Sequence, residues 1–185
     1  MSTEHRVRFV GSGGQGIALA ALLLAEGAVR AGKNATHSQA YGPASRGGAS
    51  KADVIVADAA IAYPIAERLD ALVALTQLGC DRYLGDLEDG GLLLVDAERV
   101  LPAPRLGVRV VAVPILSSAK RELGRVLGAN LVALGALVEL TAIVPHEAVE
   151  RAIEARRPGG STERALRAFR AGRALAGIGN EAVTM

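Results

Sequence analysis

The opening stretch of the chain constrains its fold more than any other part. His5 to Val10 reads as a strand, Gly11-Ser12-Gly13-Gly14-Gln15-Gly16 interrupts it, and Ile17 to Ala31 continues with helical periodicity up to a capping glycine, Gly32. A strand that turns through glycines directly into a helix is the first half of a crossover unit, and such units build parallel sheets covered by helices. The rest of the chain keeps that alternation. A short extended piece, Asn34 to His37, leads into a polar, glycine-rich stretch from Ser38 to Ser50, and Ala52 to Ala57 is strand-like again. Leu72 to Leu75 and Leu92 to Val95 are apolar runs of strand length, separated by a helical segment around Gln77 to Leu87 and a turn at Gly90-Gly91. Val108 to Val113 is rich in β-branched valine, which favours a strand. From Ser117 the period becomes helical, with Leu131, Leu134, Leu137 and Val138 on one face, a helix after Pro145 and another after Ser161. The expected fold class is α/β: a three-layer α/β/α domain with a mostly parallel sheet and a helical C-terminal third, residues 1–185 forming a single domain.

Composition narrows the class. Half of the 185 residues are hydrophobic and 22% are charged with both signs mixed, enough for a real core and unlike a disordered chain. No apolar run reaches the roughly 18 to 20 residues of a membrane span, and the charged start from Met1 to Arg8 runs into glycines without a secretory core, so a cytoplasmic location is expected. A single cysteine, Cys80, can neither close an internal disulfide nor hold an iron-sulfur cluster, which takes about four. Basic charge is local: Arg151 to Leu175 carries seven arginines against Glu154 and Glu163. Nucleic-acid binding would want aromatic platforms there, and the one aromatic, Phe169, falls at an apolar position of the helical pattern. The segment fits a docking face better, with Leu166, Phe169 and Gly172 turned inward and Arg164, Arg167 and Arg170 turned out towards acidic partner groups.

Several motifs compete for a chemical role. Gly11 to Gly16 fits G-x-G-x-x-G, whose glycines let the backbone approach a ligand while the amides opening the helix attract phosphate. A dinucleotide site also wants an acidic residue about 20 positions on, and Lys33 to Gln39 has none, so a nucleotide site and a plain tight turn both remain open. Gly27 to Asn34 mimics a phosphate-binding P-loop but finishes a helix instead of preceding one. Ser117-Ser118-Ala119-Lys120 fits a serine-nucleophile pattern, yet serine just before a helix is expected to cap it. His146 and Glu147 read as the polar first turn of a helix after proline, without a second metal-ligating histidine, and Cys80 as a packed thiol. Ser38 to Ser50 offers a guanidinium, hydroxyls and permissive glycines, a composition suited to anions and equally that of a solvated loop.

Taken together, G-S-G-G-Q-G at Gly11 to Gly16, S-Q-A-Y-G-P-A-S-R-G-G-A-S at Ser38 to Ser50, Asp70 to Gln77, Gly90-Gly91 and Asn130 to Leu137 resemble the gamma subunit of 2-oxoacid:ferredoxin oxidoreductases across nearly the whole chain. The Tyr41-Gly42-Pro43 form of the second loop is closest to the 2-oxoglutarate type. The resemblance implies a subunit, not active alone, of an enzyme that decarboxylates a 2-oxoacid on thiamine diphosphate and yields an acyl-CoA while reducing ferredoxin or another acceptor. It implies that alpha and beta partner subunits hold the thiamine diphosphate, magnesium and iron-sulfur clusters, and that this chain covers the active site and helps bind CoA. Gly13, Gly14, Gln15, Gly16, Ser45, Arg46, Gly47 and Gly48 become the expected CoA-contacting residues, with no catalytic or metal-ligating residue on the chain. Rival readings are a free-standing NAD- or flavin-binding oxidoreductase and a non-catalytic binding module. Association with the partner subunits, and with a second copy, is expected.

Overall fold

A computed structural model of the chain describes residues 4–40, 50–103, 106–124, 128–156 and 160–178. In order these form β1 (Glu4–Gly11), α1 (Ile17–Arg30), β2 (Asn34–Ala40), β3 (Ser50–Ala57), β4 (Leu69–Ala74) and α2 (Gln77–Tyr83). A turn of 3-10 helix at Leu84–Asp86 leads into β5 (Leu87–Asp96), followed by β6 (Arg109–Val113), α3 (Ile115–Leu123), α4 (Ala129–Thr141), α5 (His146–Arg156) and α6 (Gly160–Ile178). The strands make one sheet in the order β2-β3-β1-β4-β5-β6. β1, β4, β5 and β6 pair in parallel, whereas β3 is antiparallel to both β1 and β2. The expected mostly parallel α/β architecture is present, with β3 running against the others.

Alternation along the strands sorts the core into two unequal layers. Val7, Phe9, Val54, Val56, Ala71, Val73, Leu92 and Leu94 join a large apolar cluster with α1 and α3 to α6. Val10, Ile55, Leu72, Leu93 and Val95 face the other way and join a smaller cluster with Cys80 of α2 and with Ala66, Val100 and Val108 from connecting segments. Helix α4 is the axis of the thick layer. Every residue from Ala129 to Val138 is buried, so its apolar surface is not the single face expected from Leu131, Leu134, Leu137 and Val138. It crosses α6 with almost no space: a Cβ on Gly135 would lie 1.9 Å from the Phe169 carbonyl oxygen, and one on Gly172 1.9 Å from that of Val132. Glycine at both positions permits this close approach.

Three local expectations change. β2 runs to Ala40, so Ser38 and Gln39 are strand and not loop: they pair with Asp53 and Ala52 of β3, which gives their inward side backbone hydrogen bonds. Gly90-Gly91 lies inside β5, where Gly90 takes φ 82° and kinks the strand instead of ending it. Helix α3 starts at Ile115, so Ser117 and Ser118 do not cap it; the carboxylate of buried Asp96 accepts from the Leu116 amide at 2.7 Å and takes that role.

The arginines of the last helices divide between pairs within the chain and exposed positions. Arg164, Arg167 and Arg170 do point outward, with Leu166, Phe169 and Gly172 buried. Arg170, however, forks onto Glu150 of α5 at 2.9 and 2.7 Å, Arg173 bonds Glu139 of α4, and Arg156 bonds Glu26 of α1. Arg170, Arg173 and Arg156 thus tie the helices of the thick layer to one another, while Arg164 and Arg167 stand exposed.

Candidate ligand site at the glycine loop

The chain leaves β1 towards β2 on one side and returns through β4 on the other, so the carboxyl end of β1 is the switch point of the sheet, where α/β folds place ligands. Gly11 to Gly16 occupies that end. Within it the Ser12 amide donates to Gln15 Oε1 at 2.7 Å and the Gln15 amide to the Ser12 carbonyl at 3.3 Å. The Gln15 side chain therefore braces the loop from inside. A Cβ on Gly11 would meet Gln15 Oε1 at 2.5 Å, whereas Gly13 and Gly14 have open space where a side chain would stand. Gly14 and Gly16 hold φ 84° and 75°, left-handed values that favour glycine.

Gly16 is the N-cap of α1, and no side chain caps it and no acidic residue stands in the first turn. The amides of Ile17, Ala18 and Leu19 have no preceding helical turn to bond, so they and the helix dipole leave a positive end at the loop. The second predicted loop adjoins it through its anchors: Gly11 of β1 pairs with Ser50 of β3, and Ala40 of β2 pairs with Lys51. Residues 41–49 thus depart from β2, two strands from the glycine loop, and return at β3, one strand from it. Ser45, Arg46, Gly47 and Gly48 themselves lie outside the described residues.

One residue at this site carried no role in the sequence reading. Asn130, at the start of α4, is 2% exposed, its Oδ1 has no hydrogen-bond partner, and its Nδ2 lies 2.8 Å from where a Cβ of Gly16 would be. Its signal was available: it is the single polar side chain in the otherwise apolar run from Ala129 to Val138.

The sheet order also weighs on the nucleotide alternative. In a dinucleotide fold the strand whose acidic end holds the ribose lies next to β1. Here antiparallel β3 takes that place and moves the end of β2 a further strand away.

Other polar groups are structural. On the thin face Arg8 is 3% exposed and forks onto Asp53 at 2.7 and 2.9 Å, donates to the Ala66 carbonyl at 2.8 Å, and bonds Asp86, with its guanidinium 4.8 Å from the centre of the Tyr83 ring. Burial alone would lower its pKa, but hydrogen bonds and charge from Asp53 and Asp86 together raise it, so the cation is locked on. Cys80 is fully buried as expected, its thiol pushed up to about 11 by burial and by Asp81, which leaves it inert. Lys33, the lysine of the P-loop mimic, follows α1 and pairs with Asp58. A cavity of about 580 Å³ opens at the opposite end of β1, lined by His5, Lys33, Glu139, His146 and Arg173, with Lys33 and Arg173 already committed to Asp58 and Glu139. Among the described residues no group of His, Cys, Asp and Glu is placed to hold a metal ion, and no helix is long and apolar enough to cross a membrane.

This geometry has counterparts. The sequence model of the pyruvate ferredoxin/flavodoxin oxidoreductase family matches residues 6–175. A 2-oxoglutarate synthase subunit, KorC, of Methanocaldococcus jannaschii is 40% identical over 172 residues, which covers 91% of this chain and 92% of that subunit. The gamma subunit of a keto/oxoacid ferredoxin oxidoreductase from Geobacter sulfurreducens superposes with a TM-score of 0.88 at 43% identity, over 96% of this chain and 98% of that one. The 2-oxoglutarate:ferredoxin oxidoreductase of Magnetococcus marinus, solved with 2-oxoglutarate, coenzyme A and succinyl-CoA, shares the fold at a TM-score of 0.84 and 22% identity, over 95% of this chain and 31% of that one. With the match running from the middle of β1 to the last turns of α6, the chain belongs to the pyruvate ferredoxin/flavodoxin oxidoreductase family, as a subunit of the gamma type.

Proposed function

We propose that this chain is the gamma subunit of a thiamine diphosphate-dependent 2-oxoacid:ferredoxin oxidoreductase that converts 2-oxoglutarate to its acyl-CoA, and that the glycine loop binds the anionic part of CoA. The observation that carries the reading is the uncapped N-terminus of α1 beneath Gly13 and Gly14, beside both anchors of residues 41–49. Free amides and a positive helix end suit a phosphate, and the missing side chains let it come close. Arg46, in the segment between those anchors, would fork onto the same ligand. The donor set argues that the metal chemistry lies on other chains: a cluster needs several thiolates, and this chain has one cysteine, buried. The thiamine diphosphate, magnesium and clusters therefore belong to the alpha and beta subunits in this reading.

The thin face of the sheet is the surface that suits those subunits. Among the described residues six large apolar side chains stand exposed, and five of them, Tyr63, Ile65, Leu78, Leu101 and Leu106, lie within three residues in sequence of Ala66, Cys80, Val100 or Val108 of the small cluster, the sixth being Val29. A partner laid there would bury them.

Reconstitution tests the reading. A complex assembled with this chain should form acyl-CoA from 2-oxoglutarate faster than from pyruvate or a branched-chain oxoacid, and omission of the chain should abolish it. In the same complex Arg46→Ala should weaken apparent CoA affinity by about 30- to 150-fold, the value of a charge-assisted pair of bonds worth roughly 2 to 3 kcal/mol, with Arg46→Lys recovering part. Undiminished turnover without the chain, or tight NAD or flavin binding by the pure chain, would overturn the proposal.

A further inference from the structure

Two helix N-termini meet at the glycine loop. Gly16 is the N-cap of α1, Gly128 that of α4, and neither carries a capping side chain or an acid in its first turn. Asn130, the second residue of α4, bridges them, its carboxamide nitrogen 2.8 Å from where a Cβ on Gly16 would stand. The arrangement thus holds two positive helix ends within one side chain of each other, with nothing negative in either first turn to balance them.

Asn130 is out of place by ordinary packing rules. Helix α4 is otherwise apolar over its buried length, and an amide with an unpaired oxygen in such surroundings is costly compared with an alanine or leucine. Its neighbour is equally constrained. Gly16 sits at φ 75°, and a Cβ there would approach Asn130 Nδ2 and Cγ to 2.8 and 2.9 Å, so only glycine leaves room for the amide. A buried orphan acceptor, a glycine that accommodates it and two unbalanced helix ends converge on one point.

We propose that Asn130 is a ligand-contacting residue of this site, its Oδ1 accepting from a hydroxyl or amide N–H that lies next to the ligand's anionic group. The class of ligand is a phosphorylated molecule with a hydrogen-bond donor beside its charge, the anion at the amides of α1 and the donor at Asn130. The inference rests on the CoA reading above, since CoA carries phosphates together with hydroxyl and amide groups, but it assigns a residue and a donor-acceptor sense which that reading lacks.

Asn130→Asp keeps the shape and replaces the amide with a carboxylate directed at an anion. Measured on the assembled complex by calorimetric titration with CoA and by steady-state kinetics, it should raise the CoA dissociation constant and KM by about 10- to 100-fold, with kcat and the KM for 2-oxoglutarate changed less than twofold. Asn130→Ala removes the amide without adding charge; it should raise both CoA constants by about 5- to 20-fold while leaving the melting temperature within a few degrees, and it serves as the test if the aspartate variant does not assemble. Unaltered CoA binding in both variants, against a parent complex that binds CoA, would overturn this inference and leave the proposed function standing. A parent complex that fails to bind CoA at all would overturn the proposed function itself. A variant with weaker CoA binding only in step with a fallen melting temperature would mark Asn130 as scaffold and overturn the inference as well.

Discussion

The two faces of the sheet are built on different physics. The thick face joins five helices in one apolar cluster and keeps its charges outside, where Arg156, Arg170 and Arg173 clamp helix to helix through partly exposed pairs. The thin face has one seven-residue helix and connecting segments over a smaller cluster, with an arginine in the sheet itself, forked onto one carboxylate and bonded to a second. Cohesion on the first is spread over dozens of side chains; on the second a single guanidinium draws together β1, β3, the 3-10 turn at Asp86 and the segment at Ala66. Concentration of that kind makes the thin face depend on one buried ion cluster where the thick face depends on packing.

The largest effect should follow from cutting that tie. Arg8→Met leaves Asp53, 7% exposed, without its fork and with only a long 3.5 Å contact from partly exposed Lys51, and breaking a buried pair of this kind costs about 3 kcal/mol, the low end of the usual range because of that lysine. Urea unfolding at pH 7 reads the loss as a lower midpoint with an unchanged slope. Adding Asp53→Leu to Arg8→Met should restore most of the stability, since the sheet then holds no buried carboxylate without its fork, and Lys51 and Asp86 reach water. If the double variant is as weak as the single, the cluster matters for packing and not for charge, and the contrast between the faces loses its basis.

On the thick face the comparable blow is steric. Gly135→Ala places a methyl 1.9 Å from the Phe169 carbonyl, so α4 and α6 must move apart and loosen the contacts along their crossing. A loss of roughly 3 kcal/mol is expected, at the upper end for overpacking, because the obstruction is backbone and cannot rotate away. Gly177→Ala near the end of the other helix of the crossing, α6, where a Cβ meets nothing within 4 Å, is the control and should be neutral or slightly stabilising. Equal effects at the two positions would show that α4 and α6 respond to helix propensity alone.

These contrasts explain what was legible in the sequence. The β1-loop-α1 unit could be read because its signals are local: apolar residues at strand length, glycines that break, and helical periodicity up to Gly32. The glycine loop was placed correctly for the same reason. The extent of β2 was not, because Ser38 and Gln39 are polar residues of an edge strand, and only pairing with β3 makes them strand. The start of α3 was missed because its capping group, Asp96, is 20 residues away from the amide it accepts from. Burial of α4 on every side depends on α6 packing over it, so one helical stripe in the sequence understated it. Asn130 sat in plain view as the lone polar residue of an apolar helix, but its meaning required knowing that Gly16, 114 positions earlier, lies against it.

The smallest effect sharpens the comparison from the other side. Arg170 and Glu150 form a forked pair like that of Arg8 and Asp53, yet their side chains are 55% and 17% exposed against 4% and 8%. Water screens the outer pair and solvates either ion left alone, so Arg170→Ala should cost roughly half a kcal/mol or less at pH 7. The hydrogen bond from Arg170 holds Glu150 below its ordinary value of 4.5 in the folded chain. Its contribution is therefore fully present above that value and disappears as pH falls through the lower, folded-state pKa. Urea midpoints of the parent and of Arg170→Ala should differ slightly at pH 7 and 5.5, then converge as pH falls through the lowered folded-state pKa of Glu150. A difference as large as that of Arg8→Met, or one that persists in acid, would mean that the geometry of a forked pair outweighs its burial, and the distinction between the two faces would have to be drawn from packing alone.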